Sequence, residues 1–161
     1  MKKIAYIFAG LLLMNASCQK EDKGIDMVYL AHFAIPAGSN TVETHYYEIN
    51  LPTEAAAFLG DKHNSVEKIH LSSGRLINLE GVPYDFVREM SVSVEERIYE
   101  VGYREYLPSN VGTALDLIPN GTNVKQFMVQ DNFKLVVRML YATPPPTTID
   151  DNQLELRFSA F

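Results

Sequence analysis

The chain has 161 residues, 47 % hydrophobic and 21 % charged, with one cysteine, no tryptophan and a formal net charge of −6. That length suits one domain with a real core, and an acidic balance without clustered Lys or Arg excludes a nucleic-acid-binding surface. A single cysteine excludes a disulfide framework.

The first element is the stretch MKKIAYIFAGLLLMNASC. Lys2 and Lys3 precede an unbroken apolar run from Ile4 to Met14, and Asn15, Ala16 and Ser17 then lead to Cys18. Basic residues, an apolar run and small residues in that order are the plan of a secretory signal. A helix over the apolar run rises only about 16 Å against a hydrocarbon core of roughly 30 Å, too short to span a bilayer. Residues 1–17 are therefore expected to be a removable leader. Fourteen basic residues less Lys2 and Lys3 leave 12 against 20 acidic ones, a charge of −8 on the remaining 144 residues.

LMNASC resembles the lipobox of bacterial lipoproteins, with Asn15 where that family usually has leucine. The resemblance implies lipidation of Cys18 as the first residue of the mature chain and attachment to the membrane through it. Gln19, Lys20, Glu21 and Asp22 are similar to the Lys-plus-acidic signal of Bacteroidota surface lipoproteins. That implies a cell-envelope protein on the outer face of the outer membrane. Stable anchoring needs more than one acyl chain, and lipoproteins of this kind are multiply acylated. Residues 18–24, polar apart from the cysteine and a glycine, read as a lipidated tether, leaving 25–161 as the folded domain.

From Ile25 onward short alternating runs are separated by turn signals, the pattern of an all-β domain. DMVYLAHFAIP sets Met27, Tyr29, Ala31, Phe33 and Ile35 on one face. THYYEINL alternates His45, Tyr47, Ile49 and Leu51 against Tyr46, Glu48 and Asn50. SVEKIHLSS and RLINLE flank Gly74. MSVSVEE points Met90, Val92 and Val94 one way, and IYEVGYREYLP follows closely enough to pair with it as a hairpin. ALDLIP is a short strand, NFKLVVRMLYA groups Phe133, Leu135, Val137, Met139 and Tyr141, and QLELRFSAF groups Leu154, Leu156 and Phe158. The three prolines of TPPPTTIDDN cannot donate to a ladder and predict an exposed connection.

Two segments read as helices. PTEAAAFLGDK offers Thr53 as N-cap and Gly60 as terminator. NVKQFMVQD sets Asn123 three residues before Gln126, a capping-box spacing. Eight or so strands with one or two short crossover helices predict a two-sheet β-sandwich, Greek-key and immunoglobulin-like.

The search for chemistry finds no phosphate loop, zinc-protease pair or nucleophile elbow, so the sequence predicts no enzyme, no metal and no cofactor. His32, His45, His63 and His70 have no ligand spacing. Glu95 with Glu96 and Asp150 with Asp151 are carboxylate pairs without a calcium-loop pattern, and adjacent strand residues diverge. The tyrosines are the one enrichment. Tyr99, Tyr103 and Tyr106 crowd one strand around Arg104, with Tyr99, Val101 and Tyr103 expected on one face and Glu100, Gly102, Arg104 and Tyr106 on the other. Exposed Tyr with Arg is the composition of binding hot spots, and these four are the candidate ligand-binding residues; tyrosine also fills sheet faces for purely structural reasons. The expected function is a non-catalytic protein-interaction or accessory module on a lipid anchor. The alternative is a small-ligand or glycan-binding module of an outer-membrane uptake system.

Overall fold

The computed structural model describes residues 24–161, apart from residues 63 and 109. The expected leader and Cys18 lie outside the described residues, as does His63. The fold is all-β, with strands β1 (Ile25–Ile35), β2 (His45–Pro52), β3 (Ile69–Asn78), β4 (Val87–Val94), β5 (Glu100–Arg104), β6 (Ala114–Pro119), β7 (Asn132–Tyr141) and β8 (Ile149–Ala160). Two short helices, α1 (Ala55–Leu59), which runs into a 3-10 turn Gly60–Lys62, and α2 (Lys125–Met128), lie in the β2–β3 and β6–β7 connections.

The alternation read in the sequence is the inside and outside of this sheet. Met27, Tyr29, Ala31, Phe33 and Ile35 are buried along β1, while Asp26, Val28, Leu30 and His32 are exposed between them. Met90, Val92 and Val94 on β4 and Phe133, Leu135, Val137, Met139 and Tyr141 on β7 are buried in the same way, but Ser91, Ser93 and Val136 between them are buried as well, so these two strands are covered on both faces over part of their length. Leu154, Leu156 and Phe158 on β8 complete the wall of one continuous core. Full burial of each such side chain contributes about 1.5–3 kcal/mol, which drives the sheet to curl round these faces.

The expected immunoglobulin-like pair of separate sheets is not what the hydrogen bonding draws. A single antiparallel sheet runs through all eight strands in the order β1-β8-β3-β6-β5-β4-β7-β2. An immunoglobulin order seats the first strand beside the second. Here the first pairs with the last, the second with the seventh, the third with the sixth and the fourth with the fifth, the nested connectivity of a jelly roll. The link between β5 and β6 is only two residue pairs wide, Gly102 with Pro119 and Tyr103 with Ile118.

The sheet curls until its two edges, β1 and β2, face each other in a nearly closed barrel. Side chains fill that seam: the Phe33 and Tyr47 rings lie 4.9 Å apart, the Tyr29 hydroxyl donates to the Thr53 carbonyl, and Phe58 of α1 packs on the Tyr29 ring at 5.6 Å. Thr53 is not the cap of α1. The N-cap is Glu54, in a left-handed conformation, and the Thr53 hydroxyl donates to the Gln130 carbonyl. Asn123 accepts from the Lys125 and Ile69 amides, fastening α2 to the start of β3.

Gly74 interrupts nothing. It lies within β3, where a Cβ would come 2.8 Å from Leu117 Cδ1, so a glycine leaves room for the side chains of its cross-strand partners Leu117 on β6 and Leu156 on β8. Gly102 does the same for Leu71, whose Cδ2 would sit 2.8 Å from a Cβ.

Candidate functional site at the apical loops

Strand direction gives the barrel two chemically different ends. β1 starts opposite the end of β8, Ile25 against Ala160, and β3 starts opposite the same residue, Ile69 against Ala160. The chain therefore enters at one end, the base, which also carries α1, α2 and the β4–β5 turn. The other end, the apex, carries the connections 36–44, 79–86, 105–113 and 142–148.

These four connections are tied to one another. The Gly38 amide donates to the Pro145 carbonyl at 3.0 Å and the Ala37 amide to Thr148 Oγ1 at 3.2 Å. The Tyr84 amide donates to the Gly112 carbonyl at 2.8 Å, and the Val111 amide to Asp85 Oδ1 at 2.8 Å. Glu80 Oε1 accepts from the amides of Asp150 and Asp151 at 2.6 and 2.8 Å, and the Phe86 carbonyl accepts from the Ala142 amide at 2.8 Å. Loops cross-linked in this way form a rim whose shape is set before anything binds, which lowers the ordering cost of an interface.

Under the rim lies a polar core. The Tyr84 hydroxyl donates to Asn152 Oδ1 at 2.8 Å, and Asn152 Nδ2 donates to the Phe33 and Ile149 carbonyls, both at 3.0 Å. The Tyr47 and Tyr141 hydroxyls share a 2.6 Å hydrogen bond. Burial pushes the hydroxyls of Tyr84, Tyr47 and Tyr141 above the usual tyrosine value, and for Tyr141 the hydrogen bond with Tyr47 adds to the rise. All three remain neutral at physiological pH and act as structural hydrogen-bonding groups.

What the rim offers solvent is apolar and acidic. Val42 is 87 % exposed, Tyr106 83 % and Leu79 51 %, each on a different loop. Tyr106 is held at φ 53°, in the left-handed region that a non-glycine residue seldom adopts. The four connections carry Glu43, Glu80, Asp85 and Glu105 and no lysine or arginine.

The tyrosine strand is spread over the height of the barrel. Tyr99 packs edge-on against Phe127 at the base, with ring centroids 4.6 Å apart. Tyr103 lies opposite Ser91 and Ile118 on the outer side of the sheet, and Arg104 lies opposite Met90, the core-facing parity. Only Tyr106 reaches the apex. The expected faces are also regrouped: a register shift between Val92 and Ser93 buries both Val101 and Gly102, so simple alternation fails across this strand.

The remaining candidates are dispersed. His32 Nδ1 lies 2.9 Å from Asp151 Oδ1 on the outer side of β1, His45 stacks on Tyr141, and His70 stacks on Phe161. Burial, followed by the charge of Lys68, lowers the His70 pKa. Glu95 accepts from the Lys134 amide while Glu96 stays exposed in the turn. Among the described residues, no group of three or more His, Cys, Asp or Glu side chains is placed to hold a metal ion. Several shallow hollows lie towards the base; the first, of about 390 Å³, is lined in part by Gly24, Lys62, Lys68 and Phe161, and the second, of about 320 Å³, in part by Glu48, Arg97 and Lys134. Beside the second, the Arg97 guanidinium stacks on Tyr46 at 3.6 Å from the ring centroid.

No protein-family model matches the sequence, and no curated protein resembles it at a significant level. A solved structure described as the decameric BFDV capsid protein aligns over 84 % of this chain and 97 % of its own, at 12 % identity and a TM-score of 0.40. A likeness of that size carries no argument about function.

Proposed function

We propose that the chain is a lipid-anchored cell-envelope protein, attached to the outer membrane through Cys18 and exposed at the cell surface, whose barrel is a non-catalytic protein-interaction or accessory module. In the same reading the sheet works as a sandwich of two layers, β1-β8-β3-β6 and β5-β4-β7-β2, joined at the narrow β5–β6 link. One observation carries the proposal: the described chain enters at the base, beside Phe161, and its apical loops lie at the opposite end. An anchor at Cys18 and a tether of at most about 20 Å would hold the base towards the membrane. The eleven residues of β1 would then raise the apex roughly 35 Å above the base.

The anchor is tested by fractionating cells that carry Cys18→Ser. Release of the protein from the membrane fraction is expected, together with degradation of the wild-type chain by protease added to intact cells. Retention of Cys18→Ser in the membrane overturns the anchor, and full protease protection in intact cells overturns the surface location. The second reading, a small-ligand or glycan module, is favoured by the hollow beside Arg97 and Tyr46, where a cation and an aromatic ring meet. Retardation of the domain by polysaccharides in affinity electrophoresis, lost in Arg97→Ala, would move the function to that site.

A further inference from the structure

We infer that the apex is the docking face for a protein partner whose own surface sets basic side chains around shallow apolar depressions. The inference rests on the interaction-module reading and adds the surface and the chemistry of the partner.

Three features meet at this one end. The exposed tips Val42, Leu79 and Tyr106 come from separate loops, so only the folded barrel brings them together. Isolated exposed apolar residues are ordinary on a protein surface, but these three share a rim that backbone hydrogen bonds hold in place. Tyr106 is moreover fixed in an uncommon backbone conformation that leaves its side chain in solvent, and tyrosine combines contact area with a polar handle.

Charge selects the partner. Glu43, Glu80, Asp85 and Glu105 are all exposed, and the only arginines beside them are Arg88 and half-buried Arg104, at the strand ends that flank the Tyr106 loop. Glu80 and Asp85 spend one oxygen each on the amides that bind the loops together, while their charge remains at the rim. The base is different in kind, because Lys62, Lys68, Arg97 and Lys125 stand there among the acids. A rim on which acids outnumber the flanking Arg88 and Arg104 disfavours anionic lipid headgroups and phosphate backbones, and it attracts a lysine- or arginine-bearing protein surface. Steering by that charge brings the partner in, and the apolar tips entering its depressions then hold it.

Site-specific photo-cross-linking of the full chain in its native host tests the inference. A benzophenone amino acid is placed at Val42, Leu79 or Tyr106, and as controls at Leu30 on the side of the barrel and Ile98 at the base, which are also exposed. The expected result is a protein adduct of one size from the three apical positions and none from the two controls. Its yield should fall by about tenfold or more on adding Tyr106→Ala with the probe at Val42, the loss that removing an interface anchor brings. Glu43→Lys with Glu105→Lys should also reduce it, with the remaining adduct less sensitive to salt.

Equal adducts from Leu30 and Ile98, adducts only to a second copy of this chain, to lipid or to polysaccharide, an absence of adducts, or indifference to the charge reversal would each overturn the inference. Circular dichroism of each variant confirms that the barrel is intact. Fractionation of the same cells reads the anchor separately. A Cys18→Ser chain that stays on the membrane refutes the anchor while leaving an apex-specific adduct standing, and evenly spread adducts refute the apex alone.

Discussion

The two ends of the barrel are closed by different chemistry. At the base, Ala55 and Leu59 of α1, Val66, Val124 and Met128 of α2 are buried against the core, so an apolar plug shuts that end. At the apex the buried rings of Tyr84, Phe86 and Tyr141 are joined by a network of tyrosine hydroxyls, Asn152 and backbone bonds between loops. An apolar plug tolerates small shifts of packing, whereas a hydrogen-bonded network fixes positions and is costly to leave half made. The apex is thus the end whose geometry is specified and the base the end whose stability is.

Leu59→Ala and Met128→Ala test the apolar half of that contrast and carry the largest effect, a loss of about 2–5 kcal/mol each in urea unfolding. Equal losses from apical loop truncations would erase the distinction. Asn152→Ala addresses the polar half. It strands the Tyr84 hydroxyl and two carbonyls, each worth ~1–3 kcal/mol when buried unpaired, and hydrogen exchange should accelerate at the apex before the base.

Gly102→Val forces a methyl-bearing carbon against Leu71 midway between the ends, and about 1–3 kcal/mol of overpacking is expected, read as a lowered unfolding midpoint. Alkaline pH sharpens the comparison further. Tyr47, Tyr84 and Tyr141 towards the apex, and Tyr29 towards the base, have raised pKa values in the fold, so stability is full below the unfolded tyrosine value near 10 and declines as pH rises through and above it, with three of these four groups acting on the apical end. Loss of apical protection first, in hydrogen exchange above pH 10, is the expected outcome; loss spread evenly over both ends would contradict it. The smallest effect belongs to Val42→Glu, whose exposure predicts a stability change within about 0.5 kcal/mol.

The sequence made the strand faces legible because burial on one side of a sheet imposes a period of two on β1, β4, β7 and β8. Strand order was not legible. Ile25 pairs with Ala160 and His45 with Met139, and no local pattern records which distant strand completes a ladder. The tyrosine strand failed for a local reason, since one register shift reverses parity and sends Arg104 to the inner side. Thr53 looked like a helix cap because its type and position fit, yet tertiary contact gave its hydroxyl to Gln130 instead. The apical rim had a signal in plain view, four connections with acids and no basic residue. That signal acquires meaning only once the nested pairing has brought loops from distant parts of the chain to one end.

That nested pairing also orders the chain in time. Until the last strand is present, β1 and β3 have nothing between them, because β8 is the strand that bonds to both. The outermost pair of the nest closes the largest loop in the chain, and contacts so distant in sequence form slowly. A fold of this design stays unfinished until β8 arrives, and removing Ile149–Ala160 should abolish the fold rather than trim it.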